Sequence, residues 1–197
     1  FYLGNPLTVI PSETEAPWPP YTDRLDFELE LAAVIVKPLH NATPEEAREA
    51  IGGFVVFNDL SARDTQWREL RDGLFGPVIK TKTFASAIGA EVVSADEIQP
   101  RLRELTAEVI VNGETWSKTG TADMQRDFGE MAAFASAGEQ VYPGELLSSG
   151  TMPNGCGLEL NRWSKPGDRI ELKIDGVGSV VNTVGPKQSA PRGRVNE

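Results

Sequence analysis

Acidic and apolar residues alternate along the segment from Asp26 to Leu31, and a continuous apolar run then follows to Val36. Because successive side chains on a β-strand point to opposite faces, this pattern predicts a strand with Glu28 and Glu30 on one face. Two neighbouring carboxylates repel each other unless a cation, a proton or water compensates them. The segment is therefore either an edge strand with a solvated acidic face or half of a site for a hard cation.

Further short apolar runs, separated by turn residues, predict several more strands. Residues 54–57 form a buried strand, and residues 88–93 form another. Asn112-Gly113 lies between two alternating segments, which is the strongest short-range sign of a β-hairpin. Asp175-Gly176 marks a second hairpin. Residues 78–84 alternate apolar and basic positions, which predicts a strand.

Two helices are predicted from their capping residues. The first starts at Thr43, which precedes a proline and completes a capping box with a glutamate, and it stops at Gly52-Gly53. The second begins after a buried strand, with Asp59 or Ser61 as its N-cap, and it ends at Gly73.

One longer helix is expected in the second half of the chain. It starts at Thr121, ends near Gly138, and presents four large apolar residues to the core: Met124, Phe128, Met131 and Phe134. Seven or more short strands with only a few helices indicate a β-rich α+β fold.

Both ends of the chain are expected to be irregular. Residues 1–24 are rich in proline and predict an extended segment draped over the domain. Residues 186–197 contain mainly polar, proline and glycine residues and predict a disordered tail. No internal repeat or linker divides the chain before this tail. Residues 1–185, including the extended N-terminal segment, are therefore expected to form a single domain.

Charge and composition exclude several classes of function. The net charge of -10 disfavours nucleic acid and anionic membranes as partners, because both require a basic surface. A single cysteine excludes an intrachain disulfide and a cysteine-rich zinc site. The single histidine, His40, is expected to be a surface residue of a loop. No apolar run is long enough to cross a bilayer, and a cytoplasmic location is expected.

Polar residues that follow the buried strand at 54–57 are candidates for a functional site. Asp59 is either a simple N-cap or part of the acidic site, and Arg63 shares a helix face with Gln66. The structural alternative for Arg63 is a surface salt bridge to Asp64 or Glu69.

Two further segments carry candidate chemistry. Lys80 and Lys82 are expected on one face of their strand, either exposed or with one lysine directed into the acidic cluster. The glycine-rich segment 148–157 permits close approach of a ligand to the backbone, but it lacks the spacing and lysine of a phosphate-binding loop.

Taken together, these segments resemble those of the fumarylacetoacetate hydrolase family. Six segments carry the resemblance in the order of the family: Asp26 to Ala32, Phe57 to Gln66, Lys82 to Phe84, Val111 to Glu114, Gly150-Thr151 and Leu160 to Asp168. They cover nearly the whole chain, and the first two together are very specific. The resemblance implies a mixed β-sandwich roll, a single catalytic domain over residues 1–185, a homodimer and one Mg²⁺ or Mn²⁺ per subunit.

The resemblance also implies roles for individual residues. It makes Glu28, Glu30 and Asp59 the metal ligands and Lys82 the catalytic lysine. Arg63, Gln66 and Thr151 match positions that contact the substrate. A 2-oxo acid could bind the metal through its carboxylate and keto oxygens, and the metal would stabilise the enolate formed when an adjacent bond breaks.

The leading functional prediction is cleavage of a C–C bond in an acylpyruvate or other β-diketo acid. The alternatives are decarboxylation, hydration or isomerisation of a 2-oxo acid at the same site, and a non-catalytic domain that binds metal or a small acid. Hydrolases of the family carry a histidine and a glutamate one helical turn apart, upstream of the segment that matches Phe1. We expect the protein either to extend upstream, to lack that base or to obtain it from elsewhere, which weakens the prediction of hydrolysis more than that of enolate chemistry.

Overall fold

Short β-strands make up most of the regular structure. The computed structural model describes residues 1–73 and 78–190. Its strands are β1 (Val9–Pro11), β2 (Thr14–Trp18), β3 (Leu25–Asp26), β4 (Leu29–Ile35), β5 (Ile51–Asn58), β6 (Ser61–Ala62), β7 (Ser86–Ile88), β8 (Val93–Ser94), β9 (Thr106–Val111), β10 (Glu114–Gly120), β11 (Leu146–Ser148), β12 (Arg169–Ile174) and β13 (Gly178–Lys187). Its α-helices are α1 (Pro44–Glu49), α2 (Arg63–Asp72), α3 (Ala95–Ile98), α4 (Phe128–Ala135) and α5 (Gly157–Leu160). The predicted β-rich α+β class is confirmed.

The strands form two mixed sheets that share one apolar core. The first sheet has the order β1-β7-β5-β4-β11, with β8 also paired to β5, and the second has the order β10-β9-β12-β13-β2. Pairing is antiparallel except for β1 with β7 and β2 with β13. Strands β3 and β6 form a separate two-stranded ladder. Apolar side chains from both sheets belong to a single buried cluster, as in a β-sandwich.

The N-terminal segment is more regular than the sequence predicts. Strand β1 is the edge strand of the first sheet, and β2 is the edge strand of the second. Pro11 and Pro17 lie in these strands. Proline lacks an N–H donor and is tolerated where one side of a strand is unpaired, so the proline content did not exclude strands here. The segment therefore contributes to both sheets instead of being draped over them.

The C-terminal boundary also differs from the prediction. Strand β13 continues through Lys187, and the Gln188 N–H donates to the Trp18 carbonyl at 2.9 Å. Backbone pairing thus carries the ordered domain past residue 185. Residues 191–197 of the predicted tail lie outside the described residues.

The alternating acidic segment forms two strands instead of one. Asp26 ends β3, Glu28 forms an isolated bridge with Cys156, and β4 starts at Leu29. Strand β4 lies between β5 and β11, so it is an interior strand, and the edge-strand interpretation is wrong. The change of partner around residue 28 explains why one continuous sequence pattern yields two ladders.

Local signals predict some helix ends well and others poorly. Thr43 caps α1 with the expected capping box, and Gly73 caps the end of α2. The residue before α2 is Ala62, and neither Asp59 nor Ser61 caps this helix. Asp59 instead contacts Lys82, so its carboxylate is not available to the helix.

The later helix starts seven residues after the predicted position. Asp127 caps α4 through a capping box with Glu130, whereas Thr121 lies in the preceding loop. Phe134 does not reach the core: it is 69% exposed, and its ring contacts Phe1 edge-on at 5.9 Å between centroids. The apolar spacing that predicts the helix includes the loop before Phe128, so the buried face that it predicts is wrong at Phe134.

Two predicted strands are absent as single strands, whereas the hairpins are confirmed. Residues 79–84 form turns, and residues 88–93 are divided between β7, a loop and β8. Asn112 and Gly113 both have positive φ angles, 54° and 81°, as the two-residue turn between β9 and β10 requires. Asp175-Gly176 connects β12 to β13 as predicted. No helix among the described residues is long and apolar enough to cross a membrane.

Candidate metal centre

Antiparallel pairing of β4 with β5 brings three carboxylates together. Leu29 pairs with Asn58, and the Asp59 N–H donates to the Glu28 carbonyl at 3.2 Å. Glu30 is two residues beyond Glu28 and shares its face of the strand. Each of the three side chains offers an oxygen within 4.8 Å of the other two. Glu28, Glu30 and Asp59 are only 7%, 3% and 1% exposed, so a solvated acidic face is also excluded.

Lys82 lies inside this carboxylate cluster. Its Nζ is 2.5 Å from a Glu28 oxygen and 2.7 Å from an Asp59 oxygen, and it donates to the Ser61 hydroxyl at 2.6 Å. Burial alone would lower the pKa of Lys82, but Asp59 and Glu28 outweigh burial and raise that pKa, so the amine is a cation. Lys80 is exposed, so the two lysines of this segment point in different directions.

Arg63 supplies a second buried cation. Its Nε donates to Asp26 at 2.8 Å, and its Nη2 lies 2.7 Å from Glu28 as an ion pair without hydrogen-bond alignment. Its Nη1 donates to the Gln66 amide oxygen at 3.0 Å, which confirms that these residues share a helix face. The alternative of a surface salt bridge to Asp64 or Glu69 is therefore wrong.

The cluster carries more negative than positive charge. Four buried carboxyl groups face the two cations Lys82 and Arg63, so acidic groups outnumber basic groups by two: Asp26, Glu28, Glu30 and Asp59. Oδ1 of Asp59 has no hydrogen-bond donor among the described residues. Burial, followed by repulsion from Asp59 and Glu28, raises the pKa of Glu30 to about 8. A divalent cation would compensate this charge, and carboxylate oxygens are ligands that Mg²⁺ and Mn²⁺ prefer.

Three contacts to the cluster are not predicted by the sequence. The Tyr2 hydroxyl donates to Asp59, the Ser148 hydroxyl donates to Glu30, and Ser61 accepts from Lys82. Ser61 belongs to the segment that carries the family resemblance, and its proximity to Asp59 in sequence was an available signal. Tyr2 and Ser148 come from distant segments, and no local pattern distinguishes them from other surface residues.

Thr151 lies on a loop that runs beside β4. The Ser149 N–H donates to Leu31 at 2.9 Å and the Met152 N–H donates to Leu29 at 3.0 Å, so these bonds flank Glu30 on the strand. Thr151 is half-buried between these two anchors.

Two other reactive side chains, His40 and Cys156, either lie away from the cluster or resist ionisation. His40 is exposed in the loop before α1, where its ring contacts the Asn41 amide at 3.2 Å. Cys156 is buried beside Glu28 in the backbone bridge, and burial raises the pKa of its thiol to about 12. Neither residue provides a nucleophile or a base at the carboxylate cluster.

Asp26 joins the cluster to the glycine-rich loop, and this contact requires a glycine. Its carboxylate accepts the Gly157 N–H at 2.8 Å and the Leu158 N–H at 3.0 Å. A Cβ at position 157 would lie 2.2 Å from the Arg162 carbonyl oxygen and 2.6 Å from an Asp26 oxygen.

We expect Gly157→Ala to lower the free energy of unfolding by about 1–3 kcal/mol in urea titrations. Gly4→Ala, where a Cβ meets nothing within 4 Å, is the control and should change it little. Equal stability of the two variants would contradict this contact.

The raised pKa of Glu30 predicts the pH dependence of stability. Between its ordinary pKa of 4.5 and about 8, the folded state holds a proton that the unfolded chain has released. The metal-free protein should therefore lose stability as pH rises through this interval, by up to about 1.4 kcal/mol per pH unit. Urea titrations from pH 5 to pH 8 should show a smaller loss for Glu30→Gln than for the wild type. The exposed Glu45→Gln control should keep the wild-type slope, and an unchanged slope in Glu30→Gln would refute the protonation of Glu30.

The chain is similar in sequence to proteins of several organisms. The chain is 37% identical over 166 residues to an uncharacterized protein of Methanocaldococcus jannaschii, covering 84% of this chain and 64% of that protein. It is 31% identical over 166 residues to the oxaloacetate tautomerase YisK of Bacillus subtilis, covering 83% of this chain and 53% of that protein. The chain thus spans about half to two thirds of the length of these relatives.

Structural similarity extends over almost the whole chain. The crystal structure of a probable 2-hydroxyhepta-2,4-diene-1,7-dioate isomerase from Mycobacterium abscessus matches with a TM-score of 0.81 and 26% identity, covering 95% of this chain and 70% of that one. The family model described as fumarylacetoacetate hydrolase, C-terminal, matches residues 1–185. The chain therefore belongs to the fumarylacetoacetate hydrolase family.

Proposed function

We propose that the chain is the catalytic domain of a divalent-metal-dependent enzyme that enolises a small 2-oxo acid, with keto–enol tautomerisation of an oxaloacetate-like acid as the net reaction. The observation that carries the proposal is the buried carboxylate cluster, which has two more carboxyl groups than cations and a lysine at its centre. The Bacillus subtilis relative is named an oxaloacetate tautomerase, and the Mycobacterium abscessus protein is titled an isomerase. Both names describe reactions that move a proton without cleaving the carbon chain.

The candidate ligands are Glu28, Glu30 and Asp59, and Mg²⁺ or Mn²⁺ bound by them would polarise the substrate oxygens as a Lewis acid. Lys82 holds a fixed positive charge beside Glu28 and Asp59, where it can stabilise an oxygen that becomes negative. Such stabilisation is effective because the lysine is buried and already oriented, so little reorganisation accompanies the reaction.

Other residues would bind and orient the substrate. The Thr151 hydroxyl, on the loop beside Glu30, can donate to a substrate carboxylate. Arg63 is held in place by Asp26 and Gln66, and its Nη2 group, which has no hydrogen-bond partner among the described residues, can donate to a substrate oxygen. Positioning of both ends of a small acid would supply the orientation that proton transfer requires.

Tautomerisation makes the smallest chemical demand on these residues. Water accepts the proton that leaves the carbon next to the keto group, and water returns a proton to the keto oxygen, so the protons balance and every carbon–carbon bond is retained. Hydrolysis additionally requires that a base deprotonate a water molecule, that this water attack a second carbonyl carbon and that a carbon–carbon bond break. The only histidine of the chain, His40, is exposed in the loop before α1 and makes no contact with the cluster. The described residues therefore favour proton transfer.

Cleavage of a C–C bond in an acylpyruvate or β-diketo acid is the second candidate. The matching family model is named for a hydrolase, and such cleavage also passes through an enolate. Decarboxylation or hydration of a 2-oxo acid would use the same stabilisation. Homodimer assembly and a cytoplasmic location remain expectations from the resemblance and composition, and light scattering would test the former.

The proposal is tested by following enol and keto forms of oxaloacetate in the ultraviolet with purified protein and Mn²⁺. We expect interconversion faster than with Mn²⁺ alone and faster than with Glu30→Gln protein plus Mn²⁺, which controls for catalysis by the free ion. An acylpyruvate is assayed in parallel for cleavage. Cleavage without tautomerisation would favour the second candidate. Acceleration of neither reaction, with saturating Mn²⁺ bound, would reject both.

A further inference from the structure

The segment that carries Lys82 has little backbone pairing of its own. The chain turns through residues 79–84, and within the turn Lys82 and Thr83 donate to the Ile79 carbonyl. One backbone bond, from Ala62 to the Thr81 carbonyl at 3.0 Å, ties it to the neighbouring strand β6. A turn with so few ladder bonds needs other contacts to direct a buried lysine with sub-ångström precision.

Glu69 provides those contacts from helix α2. Its carboxylate accepts three consecutive backbone N–H groups, from Ile79 at 2.9 Å, Lys80 at 2.6 Å and Thr81 at 3.3 Å. It also accepts the Thr81 hydroxyl at 2.7 Å. Consecutive N–H groups that converge on one anion form a nest, which fixes the backbone on both sides of it.

The charge of Glu69 strengthens this arrangement. Partial burial opposes ionisation, but the Thr81 hydroxyl and the three N–H groups outweigh it and hold the pKa of Glu69 below its ordinary value. Hydrogen bonds to an ionised acceptor are about twice as strong as neutral ones. The carboxylate thus acts as an ionised clamp on the turn at neutral pH.

We propose that Glu69 is a positioning residue that acts through Lys82: by clamping residues 79–81, it determines that Lys82 enters the carboxylate cluster. The conformation of the turn determines which of its two lysines is buried. Lys80 is exposed to solvent, whereas Lys82 is only 3% exposed. Glu69 and Arg63 lie on the same helix. Helix α2 therefore supplies one cation of the site directly and orients the other.

The clamp accounts for why residues 78–84 do not form the strand that their alternation predicts. On a strand, both lysines would share a face. Three N–H groups of the segment are instead directed at Glu69, which removes them from any ladder. The acidic residue that sets this conformation is ten residues away from Ile79 in sequence, on a different element.

The first test measures coupling between Glu69 and Lys82, and it rests on the proposed function. Glu69→Gln replaces one acceptor oxygen by an amide that faces N–H donors, and we expect it to lower kcat for the 2-oxo acid about 10–100-fold with little change in KM. In a Lys82→Met background the same substitution should have no further effect. Equal losses in both backgrounds would show that Glu69 acts on the fold and not through Lys82.

The second test requires no activity. The metal-free full chain is treated with acetic anhydride, and the acetylation rates of Lys80 and Lys82 are followed by peptide mass spectrometry. In the wild type, Lys82 should react far more slowly than Lys80. Glu69→Gln should raise the Lys82 rate at least severalfold and leave the Lys80 rate unchanged. Arg71→Gln on the same helix is the matched control, because Arg71 pairs with the adjacent Asp72 and with no other acidic residue that the structure describes.

A second pair of variants covers the case in which Glu69→Gln does not fold. Thr81→Val removes one donor to Glu69, whereas Thr81→Ser keeps the hydroxyl. Lys82 should be acetylated faster in Thr81→Val than in Thr81→Ser. If Lys82 stays protected in every folded variant, Glu69 does not position it. If protection is lost as expected but no 2-oxo acid reacts with the wild type, the clamp stands and the proposed function fails.

Discussion

Replacing Asp59 with asparagine is expected to lower the metal-dependent enolisation rate about a thousandfold. Asparagine is isosteric but neutral, and Asp59 is one of three carboxylates whose oxygens lie within 4.8 Å of one another. A metal ion acting as a Lewis acid supplies several kcal/mol of stabilisation to the transition state, and each 1.4 kcal/mol corresponds to about tenfold in rate. The measurement is kcat with oxaloacetate at saturating Mn²⁺, together with the Mn²⁺ affinity of both proteins.

The matched control for this substitution is Asp127→Asn. Asp127 caps helix α4 and pairs with Arg48 at 2.9 Å, and it contacts none of the three candidate ligands. Asparagine is also a good N-cap, so this variant should fold and react like the wild type. Wild-type Mn²⁺ affinity and rate in Asp59→Asn would remove Asp59 from the candidate ligands and refute the assignment.

Replacing Lys82 with methionine is expected to affect both stability and rate. In the metal-free protein the lysine is the only cation that contacts Glu28 and Asp59 together among the described residues. Loss of the lysine leaves buried carboxylates without a compensating positive charge. In comparable cases this lowers the free energy of unfolding by about 3–5 kcal/mol. Saturating Mn²⁺ should restore much of that stability because a divalent cation compensates the same carboxylates. The rate with Mn²⁺ should still fall about 10²–10³-fold, as after removal of a preorganised donor.

Lys80→Met is the control for this prediction because Lys80 belongs to the same turn and is exposed. It should leave stability and rate near wild-type values. Urea titrations of both variants with and without Mn²⁺ give the stability comparison, and the oxaloacetate assay gives the rate. If metal-free Lys82→Met is as stable as Lys80→Met, the lysine does not compensate the carboxylates.

Features with local causes were predictable from the sequence. The capping box at Thr43 and the Asn112-Gly113 turn are written in adjacent residues, and both occur as expected. No local sequence pattern indicates that β1 and β2 pair with distant strands. Proline content suggested an irregular segment, but tertiary pairing at sheet edges overrode that preference.

Some features of the candidate site were likewise predictable from local sequence, and others were not. The carboxylate positions follow from strand alternation at Glu28 and Glu30 and from a polar strand end at Asp59, so the sequence indicated them. The Tyr2 and Ser148 contacts join residues 57 and 118 positions apart, and no periodicity connects such segments. The alternation of residues 78–84 left open which lysine enters the cluster, because the carboxylate that bends the turn lies on another element. The family resemblance pointed to Lys82, and Lys82 contacts Glu28 and Asp59.

A calorimetric titration of the metal-free full chain with Mn²⁺ tests most directly whether the carboxylate cluster holds a divalent cation. We predict one saturable site per chain. Near pH 7, proton release should accompany binding, because the pKa of Glu30 is about 8 before the cation arrives. Titrations in two buffers with different ionisation enthalpies reveal that proton. Glu30→Gln should bind Mn²⁺ much more weakly and release no proton. The absence of a saturable site in the folded wild type, or an unchanged site in Glu30→Gln, would contradict the metal centre.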